Sequence, residues 1–309
     1  MSLVELRQAF AHGDLAKPDY IERMHGIHAA LHEYAALLPE TDISTIEILD
    51  GRVVMTFRAS GVRMVCDPLD QRIAPVETLN FGAYEAKDAE MIFRLVRDGD
   101  CVYDVGANHG WYAIHLGRRF PRTVVEAFEP VPATFEYLRQ NLDLNGVTNV
   151  HPHRFGLGDQ AGELAFYVYP EGSVNASMAD VSGRPGVEAV TCPVKRIDDL
   201  VADGAPLPDF LKVDVEGAEL LVFRGALATL RRTRAPVFAE MLRKWAAKFA
   251  YHPNAIIELF AGLGYRCFRA AGATLIPFAS MDEGTIETNF FFLHPERNGE
   301  DIRALERGT

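Results

Sequence analysis

The chain of 309 residues has few cysteines and no excess of positive charge. Its four cysteines, Cys66, Cys101, Cys192 and Cys267, stand far apart without the spacing of a metal site, which favours reduced, buried thiols. Reduced thiols are typical of a cytoplasmic protein. A formal net charge of −12 argues against a protein that binds nucleic acid nonspecifically. We therefore expect a cytoplasmic protein with no nucleic-acid partner.

Long apolar stretches are also missing from the sequence. No apolar run approaches the roughly 18 residues of a membrane-spanning helix, and the first residues lack the apolar centre of a signal peptide. We therefore expect no membrane partner. A homo-oligomer that pairs through the edge of an N-terminal hairpin stays open.

The pattern of strands and helices changes at about residue 80. Residues 1–80 predict a helical extension followed by an antiparallel hairpin, because two alternating runs flank Asp50-Gly51. Residues 81–296 alternate strands with helices, which predicts an α/β domain with a mostly parallel, doubly wound sheet. The stretch between residues 163 and 195 is interpreted as an irregular insertion with strand-like runs at its ends and a middle rich in Gly, Ser and Asn. Residues 297–309 are interpreted as a tail.

The stretch CVYDVGANHGWYAIHL places a tight glycine turn after a predicted strand that ends near Asp104. The dinucleotide fingerprint G-x-G-x-x-G is missing, because Asn108 occupies the place of a glycine. A carboxylate there would repel a pyrophosphate, whereas Asp104 would favour a cation and Glu129 would accept hydrogen bonds from a ribose. S-adenosylmethionine (SAM) combines a sulfonium with a ribose and carries no phosphate. The alternative is that Asp104 and Asp214 are helix caps.

Several motifs in the same order resemble the FkbM family of SAM-dependent methyltransferases. They are VYDVGANHGWYAIHL, AFEPVPATFEYLRQNLDLNGVTNV, GLGDQAGELAFYV and FLKVDVEGAELLVFRGA. The resemblance runs from about residue 84 to about residue 240, and the first 80 residues show no family pattern. It implies a class I methyltransferase fold, which is Rossmann-like with a seven-stranded sheet. It also implies O-methylation of a saccharide or natural product, with SAM as cofactor and S-adenosylhomocysteine as product.

The resemblance further implies a set of residues that surround SAM. Tyr84 and Glu85 are expected to close over the cofactor, and Asp104, Gly106, Asn108 and Gly110 to surround its methionine part. Glu129 is expected to hold the ribose, and Phe155, Gly156, Leu157 and Asp159 to border the adenine. Ala107 and Pro130, which lie beside these residues in the sequence, complete the set.

Methyl transfer to a hydroxyl group requires the loss of a proton, so a general base is expected. The candidates are Asp214 and Glu216 at the end of one strand, Glu240 at the end of the next, and His109 in the glycine turn. Glu216 is also compatible with an acid in the first turn of a helix. No metal site is predicted, since no adjacent aspartate pair stands at that strand end.

The acceptor, a small molecule or a glycan, is expected to contact two further segments. Asn175 and Ser177 lie in the insertion, where ordinary turn chemistry is the alternative interpretation. Arg243 and Trp245 follow Glu240, where a solvated helix face is the alternative. Two other functions stay open at this point, a non-catalytic SAM-binding or assembly subunit and a nucleotide-dependent oxidoreductase.

Overall fold

The computed structural model describes residues 1–169, 172–179 and 186–306, and within this part the side chains of residues 172–176 are not described. Its helices are α1 (Leu3–His12), α2 (Lys17–His28), α3 (Ala30–Leu37), α4 (Ala74–Phe81), α5 (Ala86–Leu95), α6 (Trp111–Arg119), α7 (Pro132–Asn145), α8 (Ile197–Ala202), α9 (Glu219–Arg224), α10 (Leu227–Thr233), α11 (Arg243–Ala246), α12 (Asn254–Gly262) and α13 (Pro295–Glu306). Its strands are β1 (Ile43–Leu49), β2 (Arg52–Phe57), β3 (Arg63–Val65), β4 (Cys101–Val105), β5 (Val124–Phe128), β6 (Val150–His153), β7 (Gly156–Leu157), β8 (Gly162–Tyr169), β9 (Gly172–Ser177), β10 (Glu188–Lys195), β11 (Phe210–Val213), β12 (Val237–Glu240), β13 (Arg266–Ala271), β14 (Thr274–Pro277) and β15 (Asn289–Leu293).

A mostly parallel sheet forms the centre of the molecule. Its strand order is β14-β13-β15-β12-β11-β4-β5-β6, with β15 antiparallel to both of its neighbours. The chain first builds outward from β4 to β6 and then returns to add β11 and β12 on the other side of β4. This reversal beside β4 is where ligands bind in open α/β sheets. The expected class I methyltransferase fold is confirmed, and β14 adds an eighth strand at the edge.

Side chains of the central sheet alternate between two hydrophobic clusters, one on each face. Phe291 packs into the cluster formed with α5, α6 and α7, whereas Phe290 and Phe292 pack into the cluster formed with α9 and α12. This period of two is what an extended strand dictates. Both faces of the sheet are therefore covered, as the apolar strand sequences predict.

The N-terminal strands form a three-stranded antiparallel sheet in the order β1-β2-β3. The predicted hairpin is confirmed, since Asp50 (φ 50°) and Gly51 (φ 76°) have the left-handed geometry of a tight hairpin turn. Ile43, Phe57 and Met64 of these strands share one hydrophobic cluster with residues of the large domain. The boundary at residue 80 stays a prediction, because the core continues across it.

Two asparagines of α7 provide hydrogen-bond partners for the free edge of β3. Asn141 Oδ1 accepts from the Val65 N–H at 2.8 Å, and Asn145 bonds both the N–H and the C=O of Arg63. Asn141 Nδ2 also donates to the carbonyl of His109 in the glycine turn at 2.9 Å. Asn141 therefore connects the N-terminal sheet to the turn that carries the expected site.

The strand-like runs predicted at the two ends of the insertion are confirmed as β8 and β10, which pair with each other and join β7 and β9 in a four-stranded sheet. The interpretation of the last residues as a tail was wrong. Residues 297–306 belong to helix α13, whose buried Ile302 and Leu305 complete one face of the core. Most residues of this helix are polar, so the sequence did not indicate that its few apolar side chains are buried. None of the described helices is long and apolar enough to cross a membrane.

We predict that Asn141→Ala lowers the free energy of unfolding by about 1–3 kcal/mol, because it leaves buried backbone groups of β3 and the glycine turn without partners. Asn145→Ala is the matched control and should cost less, since its half-buried site lets water replace the lost bonds. Urea unfolding followed by circular dichroism measures both. An equal loss in the two variants would contradict the role given to Asn141.

Candidate functional site

The glycine turn between β4 and α6 lies directly against the end of β11. A Cβ on Gly106, which has φ 78°, would stand 1.8 Å from the carbonyl oxygen of Asp214. No other residue fits there, because the neighbouring atom is backbone and the conformation is left-handed. The turn therefore brings the ends of two parallel strands as close together as the main chain permits.

Backbone N–H groups of this turn donate to acceptors inside the protein. Gly106 and Ala107 both donate to the carbonyl of Phe128 at 3.0 Å. The Asn108 N–H donates to Glu129 Oε2 at 3.1 Å, and the His109 N–H donates to the Asn108 side chain at 2.7 Å. Phosphate-binding turns instead direct such N–H groups at the ligand. This turn is thus built to hold Glu129 rather than a phosphate.

A buried lysine supports the turn from below. Lys212 is the direct partner of Asp104 in the parallel pair of β11 and β4. Its Nζ lies 3.2 Å from Asp104 Oδ1 and 3.5 Å from Asp214 Oδ2, and it donates to the Gly106 carbonyl at 2.8 Å. Burial alone would lower the pKa of Lys212, but Asp104 and Asp214 raise it above its usual value. Lys212 is therefore a charged ammonium group that joins both strand ends to the turn.

The structure corrects the role predicted for Asp104. Its side chain is completely buried and lies behind the turn, against Lys212, instead of lining the cleft. Burial raises the pKa of Asp104, and the Lys212 charge opposes that shift. Asp104 therefore acts on the cleft through the turn. The sequence signal for Lys212 was present, since a lysine within the buried run FLKVDV requires a partner.

Glu129 closes β5 and faces the cleft. Its two carboxylate oxygens accept hydrogen bonds from the N–H groups of Asn108 and Val131, at 3.1 and 3.0 Å. Burial raises the pKa of Glu129 to about 7, although these two hydrogen bonds lower it. The carboxylate is thus held in a fixed position with acceptor capacity left for a ligand hydroxyl.

The cleft above the turn offers about 960 Å³ of empty space together with its mouth, which suits a small-molecule ligand. Eleven of the residues expected at the site line it, namely Tyr84, Gly106, Ala107, Asn108, His109, Glu129, Pro130, Gly156, Leu157, Asp214 and Glu216. Sequence reasoning missed further lining residues from three parts of the chain, which are Met64, Arg72, Ile73, Ala74, Val105, Trp111, Tyr112, Phe128, Phe166, Met178, Lys212 and Val215.

One end of the cleft is apolar and is formed with the β8–β10 insertion. Phe166 and Met178 from the insertion face Pro130 and Leu157 across this end. Phe155 and Asp159, which were expected here, are not among the lining residues. The Phe155 ring packs instead beneath Lys195 Nζ at 4.3 Å. The insertion therefore adds Phe166 and Met178 to an apolar wall to which Gly156 and Leu157 of the turn after β6 also contribute.

Two residues expected beside the cofactor support the cleft from behind. Glu85 accepts a hydrogen bond from the Tyr112 hydroxyl at 2.5 Å, and burial raises its pKa to about 7. Gly110 begins α6 with φ 89°, and a Cβ there would stand 2.5 Å from Leu138 Cδ1. Both residues shape the wall without lining it.

Three acids meet at the other end of the cleft. Asp214, Glu216 and Glu240 each offer a carboxylate oxygen, and these oxygens lie within 4.8 Å of one another. Burial and then the Asp214 charge raise the pKa of Glu216 and of Glu240 well above the usual value. Of the four predicted base candidates, these three are brought together by the ends of β11 and β12.

His109, the fourth base candidate, lines the cleft but is a weak base. Its ring packs edge-on against Tyr137 at 4.9 Å. Burial lowers the pKa of His109 to about 4, although Asp70 and Asp67 oppose that shift. The imidazole is therefore neutral near pH 7.

Two acceptor contacts, Asn175 and Ser177, were predicted in the insertion. Ser177 is buried and donates through Oγ to the Glu216 carbonyl at 2.8 Å, so it positions Glu216 instead of facing the cleft. Glu216 needs this support because it adopts a left-handed conformation, with φ 56°. The side chain of Asn175 lies outside the described residues.

The two residues predicted after β12 as acceptor contacts, Arg243 and Trp245, do not line the cleft. Arg243 donates to the carbonyls of Glu283 and Thr285, away from the cleft. Trp245 is buried, and its backbone lies against Gly217. Arg243 thus packs on the loop before β15, whereas Trp245 packs beside the turn that follows β11.

The chain is similar in sequence to several methyltransferases. A model of the family described as Methyltransferase FkbM domain matches residues 104–267. A protein of Beauveria bassiana named Methyltransferase 1 is 33% identical over 146 residues, which cover 41% of this chain and 59% of that protein. Hexuronic acid methyltransferase AglP of Haloferax volcanii is 32% identical over 142 residues, which cover 46% of this chain and 56% of that protein.

A third relative, 31-O-demethyl-FK506 methyltransferase FkbM of Streptomyces tacrolimicus, is 27% identical over 158 residues. The match covers 42% of this chain and 60% of that protein. The chain therefore spans about three fifths of the length of these three relatives.

We predict that Lys212→Met lowers the free energy of unfolding by about 3–5 kcal/mol, because Asp104 is left as a buried, uncompensated charge. Combining it with Asp104→Asn should recover much of this loss, since the charge that needs Lys212 is then absent. Lys248→Met, at an exposed position, is the control and should change stability by less than about 0.5 kcal/mol. Urea unfolding measures the stability of these variants and of Asp104→Asn alone. If the losses of Lys212→Met and Asp104→Asn simply add in the double variant, the two side chains do not stabilise each other.

Proposed function

The chain belongs to the FkbM methyltransferase family, and from this premise we propose that it transfers the methyl group of SAM to a hydroxyl oxygen of a saccharide or natural product. The observation that carries the choice of cofactor is the turn whose N–H groups are used within the protein and hold the Glu129 carboxylate. A ligand with a ribose and no phosphate suits that arrangement.

The residues that line the cleft support the following placement of SAM. Glu129 would accept hydrogen bonds from the ribose hydroxyls, and the apolar end formed by Pro130, Leu157, Phe166 and Met178 would take the adenine. The surroundings of Gly106 and Asn108 would receive the methionine part. SAM supplies a methyl group on a positively charged sulfur, and its charge suits a cleft bordered by Asp214 and Glu216.

The carboxylates at the ends of β11 and β12 would take the proton that the acceptor hydroxyl loses. Asp214 and Glu216 line the cleft, and Glu240 lies within reach of both. In the transfer, the carbon–sulfur bond breaks, a carbon–oxygen bond forms, and the hydroxyl proton passes to this carboxylate cluster. His109 is the weaker candidate, because its low pKa makes it a poor proton acceptor.

The names of two relatives support the proposal that the methyl group goes to an oxygen atom and that the acceptor is a saccharide or a natural product. One is named for a hexuronic acid, and the other for a methyl group on oxygen of a natural product. Because the chain matches only about three fifths of each relative, their acceptors indicate a class of molecule and no particular compound.

Isothermal titration of the full chain tests the cofactor. We expect SAM and S-adenosylhomocysteine to bind with micromolar affinity or better, and NAD to show no binding. Incubation with methyl-labelled SAM and a panel of sugars, sugar acids and natural products then tests transfer. Binding of NAD in place of SAM would overturn the proposal. Firm SAM binding without transfer to any acceptor would favour a non-catalytic SAM-binding subunit.

We predict that SAM binds more tightly as the pH rises from 6 to 8. Glu129 has a pKa of about 7 in the free protein, and only its ionised form accepts hydrogen bonds from both ribose hydroxyls. Protonation therefore weakens binding below pH 7, and the affinity should rise by about tenfold across this range.

Titrations at several pH values with Glu129→Gln serve as the control for this prediction. The variant should bind SAM weakly and with a flatter pH profile. Glu85 and Glu219, whose pKa values are also raised to about 7 by burial, account for any slope that remains. An unchanged slope in Glu129→Gln would remove Glu129 from the ribose site.

A further inference from the structure

We propose that Asp214, Glu216 and Glu240 bind one divalent cation, of the Mg²⁺, Mn²⁺ or Ca²⁺ type, at the acceptor end of the cleft. Binding of the ion follows from the geometry alone. Its use in holding an acceptor rests on the proposed methyltransferase function.

The three carboxylates are close enough to share one ion. Each offers an oxygen, and the oxygens lie within 4.8 Å of one another. Oxygen ligands stand about 2.3–2.6 Å from Ca²⁺ and about 2.0–2.1 Å from Mg²⁺, so two of them on opposite sides of an ion are about 4–5 Å apart. A set made only of carboxylate oxygens selects hard divalent cations over zinc or copper.

Two oxygens of this cluster are buried without a hydrogen-bond partner among the described residues. They are Glu216 Oε2 and Asp214 Oδ1. A buried carboxylate oxygen without a partner is costly, and native proteins nearly always satisfy such an atom with a donor, a water or an ion. This observation is independent of the clustering, and one divalent cation would satisfy both oxygens at once.

Within the part of the chain that the structure describes, the nearby cations do not complete the cluster. Lys212 already contacts Asp104 and the Gly106 carbonyl, and it reaches Asp214 only through Oδ2. Arg72 pairs with Glu77 at 3.0 Å, and its side chain is mostly exposed. Since Glu85 adds another acid nearby, negative charge exceeds positive charge among the described residues at this end of the cleft.

Backbone constraints fix the cluster in place. Glu216 is held in a left-handed conformation, while its carbonyl accepts the hydrogen bond from Ser177. Gly217 and Val215 donate their N–H groups to Glu219 Oε1, at 2.9 and 3.2 Å. The segment between β11 and α9 therefore presents its acids in one rigid arrangement, which reduces the cost of ordering ligands around an ion.

The ion would face the proposed acceptor. Asp214 and Glu216 line the cleft, so coordination positions not filled by the protein open toward it. An acceptor with two neighbouring oxygen atoms, such as a vicinal diol or a hydroxy acid, would fill two of these positions. The bound hydroxyl would lose its proton more easily beside the ion, and the proton would pass to a carboxylate oxygen of the cluster that does not coordinate the ion.

Mn²⁺ titration of the full chain, followed by electron paramagnetic resonance of the free ion, tests binding without SAM or acceptor. We expect one Mn²⁺ per chain, displaced by Mg²⁺ or Ca²⁺. Glu240→Gln and, separately, Glu216→Gln should weaken binding by about tenfold or more, since even residues behind a metal ligand change affinity roughly 10–100-fold. Glu258→Gln, the same change on the exposed face of α12, should bind as the unaltered chain does.

Absence of Mn²⁺ binding, or equal binding in all three variants, would overturn the proposal, provided that circular dichroism shows each variant folded. Two further measurements separate the cation site from the proposed function. They are the titration of SAM and the rate of methyl transfer, each with and without EDTA. We expect transfer to fall by about tenfold or more in EDTA and to return with Mg²⁺ or Mn²⁺. Transfer unaffected by EDTA would refute the ion's role while the methyltransferase function stands. Mn²⁺ binding without SAM binding would refute that function and leave the ion site intact.

Discussion

The contacts of one buried ammonium group hold the functional end of the sheet together. Lys212 joins Asp104 at the end of β4, Asp214 at the end of β11 and the Gly106 carbonyl in the turn between them. Because a buried charge is stable only when it is paired, these groups fix one another. The turn can then direct its N–H groups to Phe128 and Glu129, and this in turn defines where a ribose can lie.

The remainder of the cleft is assembled from parts of the chain that are distant in sequence. Tyr84 and Arg72 reach it from the N-terminal side, and Phe166 and Met178 reach it from the insertion. Asn141 connects β3 to the glycine turn through its two hydrogen bonds. The N-terminal extension is therefore part of the site's scaffold, and the methyltransferase sheet alone does not enclose the cleft.

The fold and the glycine turn were predicted well from the sequence, because they depend on local features. The alternation of strands and helices indicated the sheet, and Gly106 and Glu129 stand directly after predicted strands. Side-chain direction was harder, since it depends on register. Asp104 and Lys212 are partners only because β4 and β11 pair at one particular register, and a shift of one residue would turn either side chain to the other face. Ser177, Arg243 and Trp245 have chemically suitable side chains, but their directions depend on tertiary contacts of β9 and α11 that the sequence does not show. The clustering of Glu240 with Asp214 and Glu216 likewise required the neighbouring order of β11 and β12.

A crystal structure of the full chain with S-adenosylhomocysteine tests the central claim most directly. It should show both ribose hydroxyls within hydrogen-bonding distance of Glu129, while Lys212 keeps its contacts with Asp104 and the Gly106 carbonyl and the turn stays unchanged. The account would be contradicted if Asp104 turned into the cleft to meet the ligand, with Lys212 released from the turn, or if the ligand lay away from Glu129.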